Sequence, residues 1–347
     1  MTAMRSDKSV GVWLLVIALF IAAMVVVGGL TRLTGSGLSI TEWHPVTGVL
    51  PPMSDADWQA EFAKYQGTPQ YELLNRGMGL ASFQTIYWWE WTHRLLGRVL
   101  GAVFLLPFLY FLWKRRIDHA LVPRLVVIFL LGAAQGVLGW WMVKSGLEPA
   151  RVAVSQYRLA MHLGLAVALF GFVLWTALDV IGARRTSVAA LARFRPWAIG
   201  LTVLVFLQIL LGALMAGLDA GQAFDTWPTY GGAWIPPGLY DLNPWWINHF
   251  ENHALVHFQH RTVGYVIAIL VIWLFIALRR ADKPVRIAAV HVLALVILQI
   301  ALGVLTVVNG VPLALAAAHQ IVALALFGSA AWLAFVLSPP GPVPGRR

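Results

Sequence analysis

Long apolar runs separated by short polar and basic connectors dominate the chain. Eight of them reach the roughly 20 residues a helix needs to cross about 30 Å of hydrocarbon. They lie at 10–31, 86–113, 121–143, 156–182, 196–217, 254–278, 286–308 and 312–337. Two long segments, 32–85 and 218–253, are instead rich in Gly, Pro, Trp and polar residues. Their Trp43, Trp58, Trp227, Trp234, Trp245 and Trp246 suit a membrane–water interface, where an amphipathic ring is stable at headgroup level. The first run has no small-residue cleavage site behind it, so it reads as a retained helix and not a signal peptide. The pattern predicts an all-α membrane protein with eight transmembrane helices.

Composition and charge add orientation. Hydrophobic residues make up 59% of the chain and charged residues 12%, whereas a soluble domain is about a quarter charged. The formal charge of +10 is unevenly placed. Arg5 and Lys8, Lys114 to Arg116, Arg124, Arg184, Arg185, Arg193, Arg195, Arg279, Arg280, Lys283, Arg286, Arg346 and Arg347 all fall on one side by alternation. That side holds 16 Lys/Arg and four acids, against nine and eleven on the other. Basic residues arranged this way report orientation and not nucleic-acid binding, and they put both termini in the cytoplasm. The absence of cysteine excludes disulfides and thiolate metal sites.

An internal repeat sets the expected architecture. Gln135-x-x-Leu138-Gly139 in the third run matches Gln299-x-x-Leu302-Gly303 in the seventh. Gly29 to Pro52 resembles Gly212 to Pro237, and His93-Arg94-x-x-Gly97 matches His260-Arg261-x-x-Gly264. Each half then holds four spans with a long external loop after the first. An even span count makes the repeats parallel, related by an axis along the membrane normal. The domains read as 1–182, 196–337 and a cytoplasmic tail at 338–347, the first two forming pseudo-symmetric four-helix bundles.

The chemistry concentrates in this repeat. Glu90, His93 and Arg94 stand near the start of the second run, and ionisable groups at membrane depth mark function by default. Glu90 and His93, three apart, share a helix face; His257 answers Glu90 in the second half. His93, His162, His260 and His319 each fall about 6–8 residues from the outer end of a span, roughly 9–12 Å at about 1.5 Å per residue. One imidazole there is accounted for by a hydrogen bond to a neighbouring helix. Four at one depth, two per half, point to two ligand pairs of the kind that hold a haem inside a helical bundle. Zinc is a poorer fit, because two histidines per half come without a thiol or a further acid. Arg94, Arg98 and Arg261 are candidates for charge-assisted hydrogen bonds to haem propionates, with snorkelling to headgroups the alternative for Arg98. His249, His253 and His257 share helical spacing with His260, but only His260 has a histidine counterpart in the other half. His44, His119 and His291 read as interfacial or buried side chains with local partners.

These motifs resemble the haem A synthase family. The resemblance is carried by Arg32-Leu-Thr-Gly-Ser-Gly-Leu-Ser-Ile-Thr-Glu-Trp43, Glu90-Trp-Thr-His-Arg94, Gln135 to Gly146, Tyr157-Arg-Leu-Ala-Met-His162, Phe250-Glu-Asn252 and Ala318-His-Gln320. It covers about 12 to 335 and is closest to the form shared by proteobacteria and mitochondria. It implies eight spans in two four-helix halves in the bacterial inner membrane, and oxidation of the C8 methyl of haem O to a formyl group for terminal oxidases. It implies that His93 and His162 bind the substrate haem with Glu90 beside it, and that His260 and His319 hold the iron of a resident haem b. The implied setting is membrane lipid, with an electron acceptor outside the chain. Haem O synthase, cytochrome oxidase assembly factors and further copies of the chain are candidate partners. The external cysteine pair of some bacterial members is missing here, so thiol-based electron entry cannot operate. His257 stands where this form of the family is expected to carry an amide.

Two other classes explain part of the pattern. A di-haem b-type cytochrome passing electrons to or from quinone uses four histidines equally well, but has no use for a carboxylate beside only one haem. A transporter with parallel repeats predicts polar residues at the bilayer midplane, and here they cluster in the outer third. A buried carboxylate one turn from His93 suits a general base or a stabiliser of positive charge in a methyl oxidation.

Overall fold

The computed structural model describes residues 7–44 and 47–338. Arg5, Arg346, Arg347 and the tail beyond Ser338 lie outside the described residues. The helices are α1 (Lys8–Leu33), α2 (Asp55–Gln66), α3 (Pro69–Leu73), α4 (Leu80–Trp113), α5 (Val122–Gly146), α6 (Gln156–Val180), α7 (Arg195–Gly217), α8 (Asn248–Glu251), α9 (His253–Leu278), α10 (Lys283–Val308) and α11 (Leu313–Val336). Among the described residues, α1, α4, α5, α6, α7, α9, α10 and α11 are long and apolar enough to cross a membrane. Their starts are marked locally: Pro123, Pro196 and Pro284 occupy the first turn of α5, α7 and α10, where a missing N–H is harmless.

Helix α4 begins six residues before its apolar run. Phe83 in the added turn and Tyr87 just after it pack against Phe62 and Tyr65 of α2, forming a small aromatic core at the outer end of the span. Hydropathy misses that turn because its partner is another part of the loop and not lipid. Helix α2 itself is started by a capping box between Ser54 and Asp57.

In the first half α1 packs on α4 and α6, and α5 on the same two. In the second half α7 packs on α9 and α11, and α10 on the same two, so both sets of four close in one order. The halves meet where α6 lies on α7 and α11 and where α1 lies on α11. Small residues permit the contact there: a Cβ at Gly171 would meet Phe327 at 2.9 Å, and one at Gly328 would meet Phe170 at 3.2 Å. Gly171 follows His162 by nine residues, as Gly328 follows His319. Outside the spans, Arg32 pairs with Asp219 at 2.8 Å and the Tyr157 hydroxyl donates to Glu251 at 2.7 Å, linking the halves again. Leu19, Leu106, Leu130, Ile269 and Ile297 are exposed, as apolar side chains facing lipid are.

The second external loop is built by asparagines. Asn248 donates to the Leu242 and Trp245 carbonyls, and Asn252 to the Gly238 carbonyl. Asn252 also caps α9 by accepting from the amides of Ala254 and Leu255.

Candidate functional site

The four histidines lie on the second and fourth spans of each half: His93 on α4, His162 on α6, His260 on α9 and His319 on α11. All are partly buried, and each has a buried Nδ1 without a hydrogen-bond partner. Each ring also faces a glycine on the preceding span. A Cβ would lie 2.9 Å from His93 Cε1 at Gly28 and 2.9 Å from His162 Cε1 at Gly139. The corresponding distances are 3.4 Å for Gly212 to His260 and 3.0 Å for Gly303 to His319. A side chain at Gly28, Gly139 or Gly303 crowds the imidazole, so these glycines serve close approach, while at Gly212 a Cβ would just touch the ring. They also correct the repeat register by one residue in the first span: Gly28, not Gly29, stands opposite its histidine as Gly212 does.

The ring centroids of His260 and His319 are 6.4 Å apart. With about 2 Å for each metal–nitrogen bond, that separation leaves room for one metal ion between the rings. No group of three or more His, Asp or Glu suited to a metal occurs among the described residues. The His260–His319 pair, with an unpartnered Nδ1 on each ring, would fit the iron of a porphyrin held between two histidines.

Glu90 is 2% exposed. Its Oε1 accepts from Arg94 Nη2 at 2.6 Å, and its Oε2 accepts from Ser39 Oγ at 2.8 Å and the Ile40 amide at 2.9 Å. Arg94 donates further to the carbonyls of Ile40 and Glu42, at 2.8 and 2.7 Å. Arg98 donates to the His44 carbonyl at 2.8 Å. Arg261 donates to His257 Nε2 at 2.9 Å and to the carbonyls of Thr226 and Thr229 at 2.8 and 3.2 Å, with its guanidinium 4.3 Å over the Tyr230 ring. The three arginines named in the sequence as candidates for propionates therefore tie the external loops to α4 and α9. Nothing in a linear pattern marks these partners, since most are backbone carbonyls 32 to 54 residues away.

His257 is 1% exposed, bound to Arg261 and edge-on to Phe224 and Tyr230. His249 pairs with Gln259, His291 with the Ile287 carbonyl, and His44 with Glu42. A cavity of about 400 Å³ lies between the first external loop and the outer end of α4, lined by Glu42, Glu61, Lys64, Trp91, Arg94 and Arg98 among others. Hydrogen bonds from His44 and Lys64 hold the Glu42 carboxyl below its usual range, and those to Glu61 and Glu42 raise the Lys64 ammonium. In the second loop, burial pushes the Tyr230 phenol up.

The family profile described as a cytochrome oxidase assembly protein, COX15-CtaA, matches residues 11–331. The chain is 52% identical over 328 residues to a protein of Paracoccus denitrificans named heme A synthase, covering 92% of this chain and 85% of that one. It is 50% identical over 321 residues to one of the same name from Parvibaculum lavamentivorans, covering 92% of each. A third, from Azorhizobium caulinodans, is 51% identical over 325 residues, covering 92% of this chain and 91% of its own. A match of this identity along nearly the whole chain, over the segments that build the histidine pairs and the Glu90 site, shows that the chain belongs to the COX15-CtaA family of cytochrome oxidase assembly proteins.

Proposed function

We propose that the chain is a haem A synthase, an integral membrane oxidoreductase that converts the C8 methyl of haem O to the formyl group of haem A. His93 and His162 ligate the substrate haem, and His260 and His319 the iron of a resident haem b. Glu90 accepts a proton or balances positive charge at the reacting carbon. The observation that carries this reading is an asymmetry: four histidines each face a glycine of the preceding span, and only the first half sets a buried carboxylate one turn from its histidine. A purely electron-transferring protein needs no such difference.

When bound, haem supplies the redox-active iron and the porphyrin that is oxidised; the chain supplies position and field. Three donors converge on Glu90 and fix its carboxylate against Ser39, Ile40 and Arg94, which keeps it oriented at small entropic cost during reaction. Oxidation of the methyl to a formyl group, with its oxygen taken from water, releases protons and electrons (R–CH3 + H2O → R–CHO + 4 H+ + 4 e−), and the electrons pass to an acceptor outside the chain. Arg94 joins Glu90 to the Glu42 backbone, and the Glu42 carboxylate with Lys64 lines the outer cavity. We place both termini in the cytoplasm of the bacterial inner-membrane system and the two halves, 1–182 and 196–337, as parallel repeats. The one-sided distribution of Lys and Arg, the common closing order of the helices and the reciprocal Gly171–Phe327 and Gly328–Phe170 contacts support this arrangement. We propose haem O synthase as the source of the substrate and cytochrome oxidase assembly factors as recipients of the product.

Glu90→Gln tests the assignment. Loss of a general base commonly lowers a rate about 10²–10⁴-fold. The variant is expected to insert, retain haem b and accumulate haem O, with haem A strongly reduced when all three haems are extracted and separated together. Ordinary haem A levels would end the catalytic role of Glu90.

A further inference from the structure

Where the halves meet, α6, α7 and α11 leave an apolar slot of about 220 Å³. None of its lining residues belongs to the histidine pairs or to the Glu90 site. Ile199 and Val203 on its rim are 39% and 52% exposed, so the slot opens sideways to lipid. Thr202 also lines it, but its hydroxyl donates to the Ala198 carbonyl of its own helix at 2.8 Å. The lining is therefore suited to hydrocarbon.

Helical spacing carries the slot toward the end of the bundle that holds the basic connectors, which we place in the cytoplasmic leaflet. Arg195, Ile199 and Val203 share one face of α7, and Ala331, Ala334 and Ser338 continue one face of α11. The two stripes converge where Arg195 Nε donates to Ser338 Oγ at 3.1 Å. From Arg195 to Val203 the helix rises about 12 Å, within the roughly 15 Å of hydrocarbon in one leaflet. On the α6 side, the Arg185 guanidinium lies 4.4 Å over the Phe335 ring. That ring is 5.3 Å from Trp175, which lines the slot. Two arginines thus stand over one end of an apolar slot.

Their charge is not cancelled locally. Asp179 is shared between Arg185 and Arg124, and Asp282 accepts from the Thr186 hydroxyl at 3.1 Å. Arg184, Arg185, Arg193 and Arg195 follow closely in the chain, and no acidic residue occurs from 180 to 218. Basic pockets between helices on the cytoplasmic side attract anionic headgroups. A facing helix of a second copy, about 10–12 Å across, would lie over the slot without filling it and would offer the arginines no phosphate.

We propose that this slot holds an acyl chain of one anionic phospholipid, with the lipid phosphate received by Arg185 and Arg195, so that a lipid completes the seam between the two halves.

The test uses purified full-length protein, depleted of lipid in an uncharged detergent. Phosphatidylglycerol and phosphatidylcholine with the same acyl chains are added in turn. Native mass spectrometry counts bound lipid per chain, and thermal unfolding gives a second readout. Each basic residue near an anionic surface contributes about fivefold in binding. One phosphatidylglycerol per chain is expected to bind about 25-fold more tightly than phosphatidylcholine, through two arginines, and to raise the unfolding temperature. Arg195→Gln is expected to weaken phosphatidylglycerol about fivefold and to leave phosphatidylcholine unchanged. Ala168→Phe, which fills the slot from an exposed position, is expected to weaken both. Val203→Phe serves the same purpose if Ala168→Phe does not accumulate. Equal binding of the two lipids, or undiminished binding by the filled slot, overturns the proposal. Stabilisation reproduced by inorganic phosphate overturns it as well, since an anion site then needs no lipid chain. A dimer that the filling variant splits assigns the face to a second copy and has the same consequence.

Discussion

The two halves solve one structural problem with different chemistry. In each, an arginine directly after the histidine reaches back four residues along its helix and outward to the carbonyls of the long external loop. Arg94 meets Glu90 and the carbonyls of Ile40 and Glu42; Arg261 meets His257 and the carbonyls of Thr226 and Thr229. The second half shows that an imidazole is enough to receive the guanidinium and anchor the loop. A buried carboxylate is the more demanding choice, since it must be compensated on all sides, and here three donors do so. Anchoring alone therefore does not account for Glu90, and the surplus is its negative charge beside His93.

The strongest way to break this comparison is to transplant the residue. Glu90→His installs the acceptor of the second half and removes the charge. Haem A formation should fall about 10²–10⁴-fold, while the loop at 34–79 stays as resistant to limited proteolysis as before. A variant that still makes haem A would reduce Glu90 to a loop anchor.

Removing the arginines comes next. Arg94→Ala strands a carboxylate that is 2% exposed, and breaking a buried pair from one side costs about 3–5 kcal/mol. Arg261→Ala strands only a neutral ring and two carbonyls, at about 1–3 kcal/mol for a buried unsatisfied group. Thermal unfolding in detergent should rank Arg94→Ala as the less stable of the two, and the opposite order would show that the Glu90 charge is balanced elsewhere.

The smallest effect concerns the first loop alone. Because the folded Glu42 carboxyl lies below its ordinary value of 4.5, its bonds to His44 and Lys64 stabilise the fold above that pH. This contribution is lost as pH falls through the lower folded value. Glu42→Gln should flatten the acid limb of the stability–pH curve slightly, and an unaltered limb would show that the exposed pair contributes nothing.

The eight spans and the four histidines were legible in the sequence because their signals are local. An apolar run must be long enough to satisfy its own backbone in lipid, and a histidine within a repeated motif repeats its depth along the helix. Leu80 to Thr85 escaped this logic, because that turn of α4 is stabilised by the loop helix α2 and not by lipid. The partners of Arg94, Arg98 and Arg261 escaped it too: backbone carbonyls carry no sequence signature, and only the folded loops bring them to the guanidinium groups. Gly139 and Gly303 were visible as repeat markers, yet their reason appears only when α5 meets α6 and α10 meets α11. The sequence determines which residue types occupy each depth in the membrane through spacing along single helices. Tertiary structure decides which of them meet, because those distances depend on packing between helices that hydropathy does not encode.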